Sequence, residues 1–129
     1  MHICIDPGSI NCGVVILEKG NILFHKNINI NEALKIEASK NDIVLIETMD
    51  SVHGMVGLTT IDTAINIGRL YQYFSNKTPF IHLVGRKYIL KTLGCKNDKE
   101  VRAKIRLLKP QYKVSTHCWS ALSLFLTHE

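Results

Sequence analysis

Residues 3–17 run Ile3-Cys4-Ile5-Asp6-Pro7-Gly8-Ser9-Ile10-Asn11-Cys12-Gly13-Val14-Val15-Ile16-Leu17. Two apolar stretches flank a segment of Pro, Gly, Ser and Asn, the punctuation of a hairpin turn. The first stretch ends in a carboxylate, Asp6. A later run, Asp42-Ile43-Val44-Leu45-Ile46-Glu47, ends the same way. Continuous apolar strands belong to sheets covered on both faces. Two close carboxylates at the ends of such strands are costly together unless a cation neutralises them. Mg²⁺ is held by one or two carboxylates plus water and substrate phosphate. A pair of such ions clamps the attacking and leaving oxygens of a phosphodiester. The two acids therefore point to phosphodiester chemistry.

Outward from these strands, the chain divides into short elements without a linker or repeat. Strands are expected at 2–6, 12–18 and 22–28, with Lys19-Gly20-Asn21 turning between the last two. Asn31 to Ala38 predicts a short helix with Ile30, Leu34 and Ala38 on one face. A fourth strand covers 42–47. Thr59 or Thr60 is expected to cap a long helix to about Phe74. Pro79 to Val84 predicts a fifth strand. Helices over 85–93 and 98–108 are broken by Gly94-Cys95-Lys96-Asn97, and Pro110 stops the second. Ser115 or Thr116 caps a last helix to about Thr127. Three hairpin-linked strands followed by βαβ crossovers give an α/β fold, a mixed five-stranded sheet with helices on both faces. Strands one and four are then neighbours, and Asp6 and Glu47 project from the same end of the sheet.

The 129 residues are expected to form one domain, 1–129. No apolar run reaches the ~18 residues of a membrane span, and the N-terminus lacks a signal-peptide pattern. Cys4, Cys12, Cys95 and Cys118 show no CxxC spacing, so zinc and redox-pair readings are disfavoured. A reduced, cytoplasmic protein without membrane contact is expected. The net charge of +5 is uneven. Residues 85–113 hold ten of the sixteen Lys and Arg and two acids, a charge of +8, which leaves −3 for the remainder. A polyanionic partner accounts for that asymmetry, and a merely solvated helix face is the plainer alternative.

A third contributor to the acidic site is expected on the last helix. His117 and Ser120 lie three apart and share a face, while Trp119, Leu122 and Phe125 or Leu126 pack inward. A neutral imidazole suits a ligand or general base. Ser120 is a poor ligand for a hard metal, though it can orient a water.

Asp6-Pro7-Gly8-Ser9, Asn11, Gly13, the strand ending at Glu47-Thr48, Gly68-Arg69, Asn97-Asp98-Lys99-Glu100-Val101-Arg102 and Thr116-His117-Cys118-Trp119-Ser120-Ala121-Leu122 follow one order. That order resembles the RuvC-type Holliday-junction resolvases of the ribonuclease H-like superfamily, small viral members especially. The resemblance implies a homodimeric, Mg²⁺- or Mn²⁺-dependent endodeoxyribonuclease that binds four-way DNA junctions, nicks two opposing strands and acts inside a host cell. It places the catalytic group on Asp6, Glu47, His117 and Ser120, with metal on Asp6, Glu47 and His117. Ser120 departs from the aspartate usual in that family. The resemblance also implies phosphate contacts from the basic stretch, namely Arg86, Lys87, Lys91, Lys99, Arg102, Lys104 and Arg106, with Lys99 and Arg102 on the family's basic helix near the site.

The loop after Glu47 carries Met49, Met55, Val56 and Leu58, which either wedge into a junction or pack beneath the loop. Its Asp50 and His53 are candidate substitutes for the missing acid. The 60–74 helix is the candidate dimer face. Two rivals remain: a ribosomal-RNA-processing nuclease of the same fold, and a catalytically weakened junction-binding protein. A charge count sharpens the role of residue 120. Two divalent ions bring four positive charges, whereas Asp6 and Glu47 bring two negative ones, so at least one ion is expected to be loosely held.

Overall fold

The computed structural model describes residues 1–50 and 56–128. Strands β1 (His2–Pro7), β2 (Asn11–Glu18), β3 (Asn21–Asn29), β4 (Ile43–Thr48) and β5 (Ile81–Gly85) form one sheet in the order β3-β2-β1-β4-β5. The three N-terminal strands pair antiparallel, and β1, β4 and β5 run parallel. Helices are α1 (Ile30–Ala33), α2 (Leu58–Ser75), α3 (Arg86–Leu93), α4 (Asp98–Leu108) and α5 (Trp119–His128), the last preceded by a 3₁₀ turn at Thr116–Cys118. The expected mixed sheet with helices on both faces is the fold observed.

The period-two alternation of the strands sorts their side chains into two cores. Ile3, Ile5, Val14, Val44 and Ile46 face α1 and α2, meeting Ile67, Leu70 and Phe74. Cys4, Val15, Leu17 and Leu45 face the other way, onto Ile89 of α3, Val101 and Ile105 of α4, and Leu122 and Phe125 of α5. The central strands are thus apolar on both faces, as their continuous runs require. Cys4, Cys12 and Cys118 are buried free thiols. No helix among the described residues is long and apolar enough to cross a membrane.

Element boundaries depart from the sequence reading where tertiary partners compete. The first helix stops at Ala33 rather than Ala38. The Tyr73 hydroxyl donates to the Ile36 carbonyl at 2.7 Å, and that bond draws the chain onto α2 instead of onward as helix. Helix α2 starts at Leu58 behind an extended Gly57 with no side-chain cap. Neither Thr59 nor Thr60 is its N-cap, and Thr63 donates back to the Thr59 carbonyl at 2.8 Å. Pairing in β5 begins at Ile81, because Pro79 has no N–H for a ladder and Thr78 bonds the Asp42 carbonyl and the Phe80 N–H. The last helix begins with a 3₁₀ turn whose Ser115 hydroxyl lies 3.0 Å from Cys118 Sγ.

One close approach fixes where that turn sits. Gly13 on β2 pairs with Asp6, and a Cβ on it would collide with the His117 carbonyl. The turn is further held by the Ser115 N–H donating to His25 Nδ1 of β3 at 3.1 Å. A methyl at position 13 must push the turn off the sheet, an overpacking cost of roughly 1–3 kcal/mol. The Gly13→Ala variant is therefore expected to unfold at lower urea concentration with an unchanged m-value. An unchanged midpoint would show that the contact relaxes freely.

Candidate active site

Cys4 and Leu45 pair across β1 and β4 and face the α3–α5 core, and Ile5 and Ile46 pair next along the ladder. Two residues beyond Cys4 and Leu45, Asp6 and Glu47 face the same layer at the carboxyl ends of two adjacent parallel strands. Their carboxyl groups are in hydrogen-bonding contact with each other. Burial pushes the Asp6 carboxyl above its ordinary value, against the opposing pull of Glu47, Arg86 and Ser120. Glu47 is pushed up to about 8, by burial first and by the charge of Asp6 second, with Arg86 working the other way. Burial of one acid and like charge on its neighbour both disfavour ionisation.

The cation beside them comes from β5. Gly85 pairs with Thr48, so Arg86, the next residue, opens α3 beside the end of β4. Its Nη2 lies 3.0 Å from Glu47 Oε1 and donates to Ser120 Oγ at 2.6 Å. Its Nε is 3.4 Å from Asp98 Oδ1, on the first residue of α4. The Ser120 hydroxyl also stands by the Asp6 carboxyl and eases its ionisation. Asp6, Glu47, Arg86 and Ser120 thus close a ring of polar contacts. The Arg86–Glu47 contact is a charge pair rather than an aligned hydrogen bond, since Glu47 Oε1 is buried and accepts none.

The sequence had assigned Arg86 to phosphate contacts, and the structure gives it these internal partners instead. Asp50, considered as a replacement acid, accepts from the Lys87 N–H at 2.8 Å, in the first turn of α3. Its carboxylate also fills the space a Cβ on Gly85 would take. An acid at a helix N-terminus satisfies a free donor and the helix dipole, which accounts for Asp50 without a role in the ring.

His117 is exposed and lines an open cleft of about 390 Å³ with Asp6, Pro7, Ser9, Asn11 and Asn27. The floor of that cleft is held from α2. Buried Asn66 donates through Nδ2 to the Gly8 carbonyl at 3.0 Å and the Ser9 carbonyl at 2.9 Å. Sequence reasoning missed Asn66, although a polar residue on the inward stripe of an amphipathic helix is a visible signal.

Among the described residues, no three His, Cys, Asp or Glu side chains gather closely enough to hold a metal together. The set Asp6, Glu47 and His117 is therefore not closed: the acids meet, and His117 stands along the cleft that Asp6 lines. The acid pair alone suits a hard divalent cation. It offers oxygen donors, a buried oxygen without a hydrogen bond, and a mutual repulsion that Mg²⁺ or Mn²⁺ would relieve.

Lys87, Lys91, Lys99 and Arg102 are exposed on α3 and α4. Arg102 lines a narrow recess with Arg86, Asp98, Trp119 and Ser120, which sets it beside the ring. Arg106 is exposed with its guanidinium 5.3 Å from the Trp119 ring centre. Lys104 instead turns inward and donates to the Leu93 carbonyl at the end of α3. In the loop after β4, Met49 packs against the α2-side core, while Val56 and Leu58 are exposed. His53 and Met55 lie outside the described residues.

No protein family matches the chain by sequence, and neither does any curated protein. Solved structures do match it. Thermus thermophilus RuvC in complex with a Holliday-junction substrate aligns with a TM-score of 0.69 at 16% identity, over 98% of this chain and 91% of that one. A second structure of Thermus thermophilus RuvC gives a TM-score of 0.65 at 18% identity, over 98% and 92%. By sheet order, by two-faced helix packing and by this likeness along nearly its whole length, the chain has the ribonuclease H-like fold of the RuvC resolvases.

Proposed function

We propose that this protein is a metal-dependent endonuclease that nicks opposing strands of four-way or otherwise branched DNA. The observation that carries the reading is the half-buried Asp6–Glu47 pair at the carboxyl ends of two parallel strands, in a fold whose solved counterpart was captured on a Holliday junction. Mg²⁺ or Mn²⁺ on that pair would polarise the scissile phosphate and acidify a water. The chain's own residues do the rest. His117, exposed in the cleft that Asp6 also lines, would accept the proton of the attacking water. Lys87, Lys91, Lys99 and Arg102 form the phosphate-binding face, with Arg102 nearest the acids. The ribosomal-RNA nuclease reading lacks an observation in its favour. The non-cutting reading has one, the serine at position 120.

A four-way junction presents opposing strands about a two-fold axis, so a two-fold dimer can set one site on each. Helix α2 buries Asn66, Ile67, Leu70 and Phe74 inward and leaves Leu58, Ile61, Ile65 and Tyr71 exposed, Leu58 at 78% and Ile65 at 55%. A Cβ on Gly68 would meet nothing, so the same face is open to close approach. This is the proposed dimer surface. Sedimentation at ~100 µM, well above a micromolar dissociation constant, is expected to give a dimer, and Ile65→Lys a monomer. A wild-type monomer at that concentration removes the proposal.

The Asp6→Asn variant is expected to lose junction cleavage while keeping, or tightening, junction binding. The amide keeps the carboxyl's shape without the charge that holds metal. Binding rests on the basic face and should weaken steeply with salt. Cleavage by the variant at the wild-type rate would sink the assignment. Binding without cutting by the wild-type protein would make it a junction-binding protein.

The raised carboxyls also set a pH dependence. In EDTA the folded protein keeps protons on Asp6 and Glu47 that the unfolded chain releases at ordinary carboxyl values. The native state then binds more protons than the unfolded one between about pH 4.5 and pH 8, so stability falls as pH rises across that window. Thermal unfolding in EDTA should show that decline, and Glu47→Gln should flatten it. Equal slopes in the two proteins would mean that Glu47 is not the group responsible.

A further inference from the structure

We propose that the Arg86 guanidinium is a built-in cation standing in for one of two divalent ions, so that this acid pair holds a single Mg²⁺ or Mn²⁺. The inference rests on the reading of Asp6 and Glu47 as metal ligands. It starts from the charge deficit that the sequence left open: two ions bring four positive charges to two carboxylates.

The structure balances that account in another way. Arg86 is held in place by Glu47 on one side, Ser120 on the second and Asp98 on the third. Its side chain is 23% exposed and that of Glu47 15%, so the pair is shielded from solvent screening. Asp6 and Glu47 bring two negative charges and Arg86 one positive, while Asp98, 60% exposed, and Arg102 beside it offset each other. What remains can balance one divalent ion in part and leaves nothing for a second. A second ion at Ser120 would have to sit against the guanidinium, which donates to Ser120 Oγ at 2.6 Å. Like charges at that range repel strongly in a site this enclosed.

Serine also fits its neighbour. Ser120 Oγ accepts from Arg86 and eases the ionisation of Asp6, a role a neutral hydroxyl fills with one donor and two acceptor sites. An aspartate there would form a bidentate pair with the guanidinium before it served a metal. The two residues therefore act as a unit, and exchanging either one alone leaves the ion count at one. Exchanging both, Arg86→Met with Ser120→Asp, removes the fixed cation and leaves three carboxylates, Asp6, Glu47 and residue 120, a set that can share two ions.

Mn²⁺ titration of the whole protein without DNA tests this, with bound ions counted by calorimetry and by loss of the free-Mn²⁺ electron paramagnetic resonance signal. The expected count is one ion for the wild type, one for Ser120→Asp and two for the double variant. Circular dichroism shows whether each protein is folded, and Arg86→Gln with Ser120→Asp replaces the double variant if methionine does not fold. Two ions on the wild type or on Ser120→Asp, or one on a folded double variant, overturns the proposal while leaving the metal-site reading intact. No ion on the wild type, together with no change on Asp6→Asn, overturns the metal-site reading and this proposal with it.

Discussion

The ring of Asp6, Glu47, Arg86 and Ser120 is the interaction on which the site and much of the fold around it depend. Two carboxyls are half-buried at the ends of the parallel strands β1 and β4, where burial raises the cost of ionising either one. Removing one partner of a buried charge pair is far more costly than removing both. Each surrounding element is accordingly placed to supply compensation. Strand β5 ends beside β4 so that Arg86 reaches Glu47. Helix α4 starts with Asp98 against the guanidinium. Helix α5 brings Ser120 between arginine and aspartate. These elements come from three separate stretches of the chain, and the acids are what they have in common.

Much of the fold was legible because the strands announce themselves. Ile3 to Ile5 and Val44 to Ile46 are apolar without alternation, and such runs belong in a sheet covered on both faces. The break at Gly94 was equally plain, since Gly94 adopts φ of +69° and closes α3. The acids at positions 6 and 47 stood out as the last residues of two apolar runs on strands expected to be neighbours. The boundaries that failed did so for want of tertiary information. Nothing near Ile36 says that the Tyr73 hydroxyl will claim its carbonyl, and a four-residue helix has little cooperativity of its own with which to resist.

The site was legible by residue type and not by partnership. A basic stretch with a charge of +8 invites every lysine and arginine to be read as a phosphate ligand. The structure separates them by burial. Arg86 and Lys104 face inward, one onto the acids and the other onto the end of α3, while Lys87, Lys91, Lys99 and Arg102 remain at the surface. Composition cannot make that division, because it depends on where β5 ends and how α4 crosses α5. Asp50 teaches the same lesson from the other sign: an acid close to the site in sequence is taken up by the N-terminus of α3.

Asn66 ties the cleft to the helix on the far face of the sheet. Its amide holds the Gly8 and Ser9 carbonyls, and those residues form the turn that follows Asp6. The same helix carries Ile61 and Ile65 outward, five and one residues from the asparagine. A rotation of α2 about its axis would move the apolar face and the amide together. The Gly8 turn is itself rigid, closed by the Gly8 N–H on the Asn11 carbonyl at 2.8 Å and too tight for a Cβ at position 8. It cannot absorb such a movement, and would pass it to the end of β1, where Asp6 sits. Two hydrogen bonds thus join the exposed apolar face of α2, the proposed dimer surface, to the position of the first acid. On that proposal, a second copy seated on α2 would stiffen the cleft that Asp6 lines.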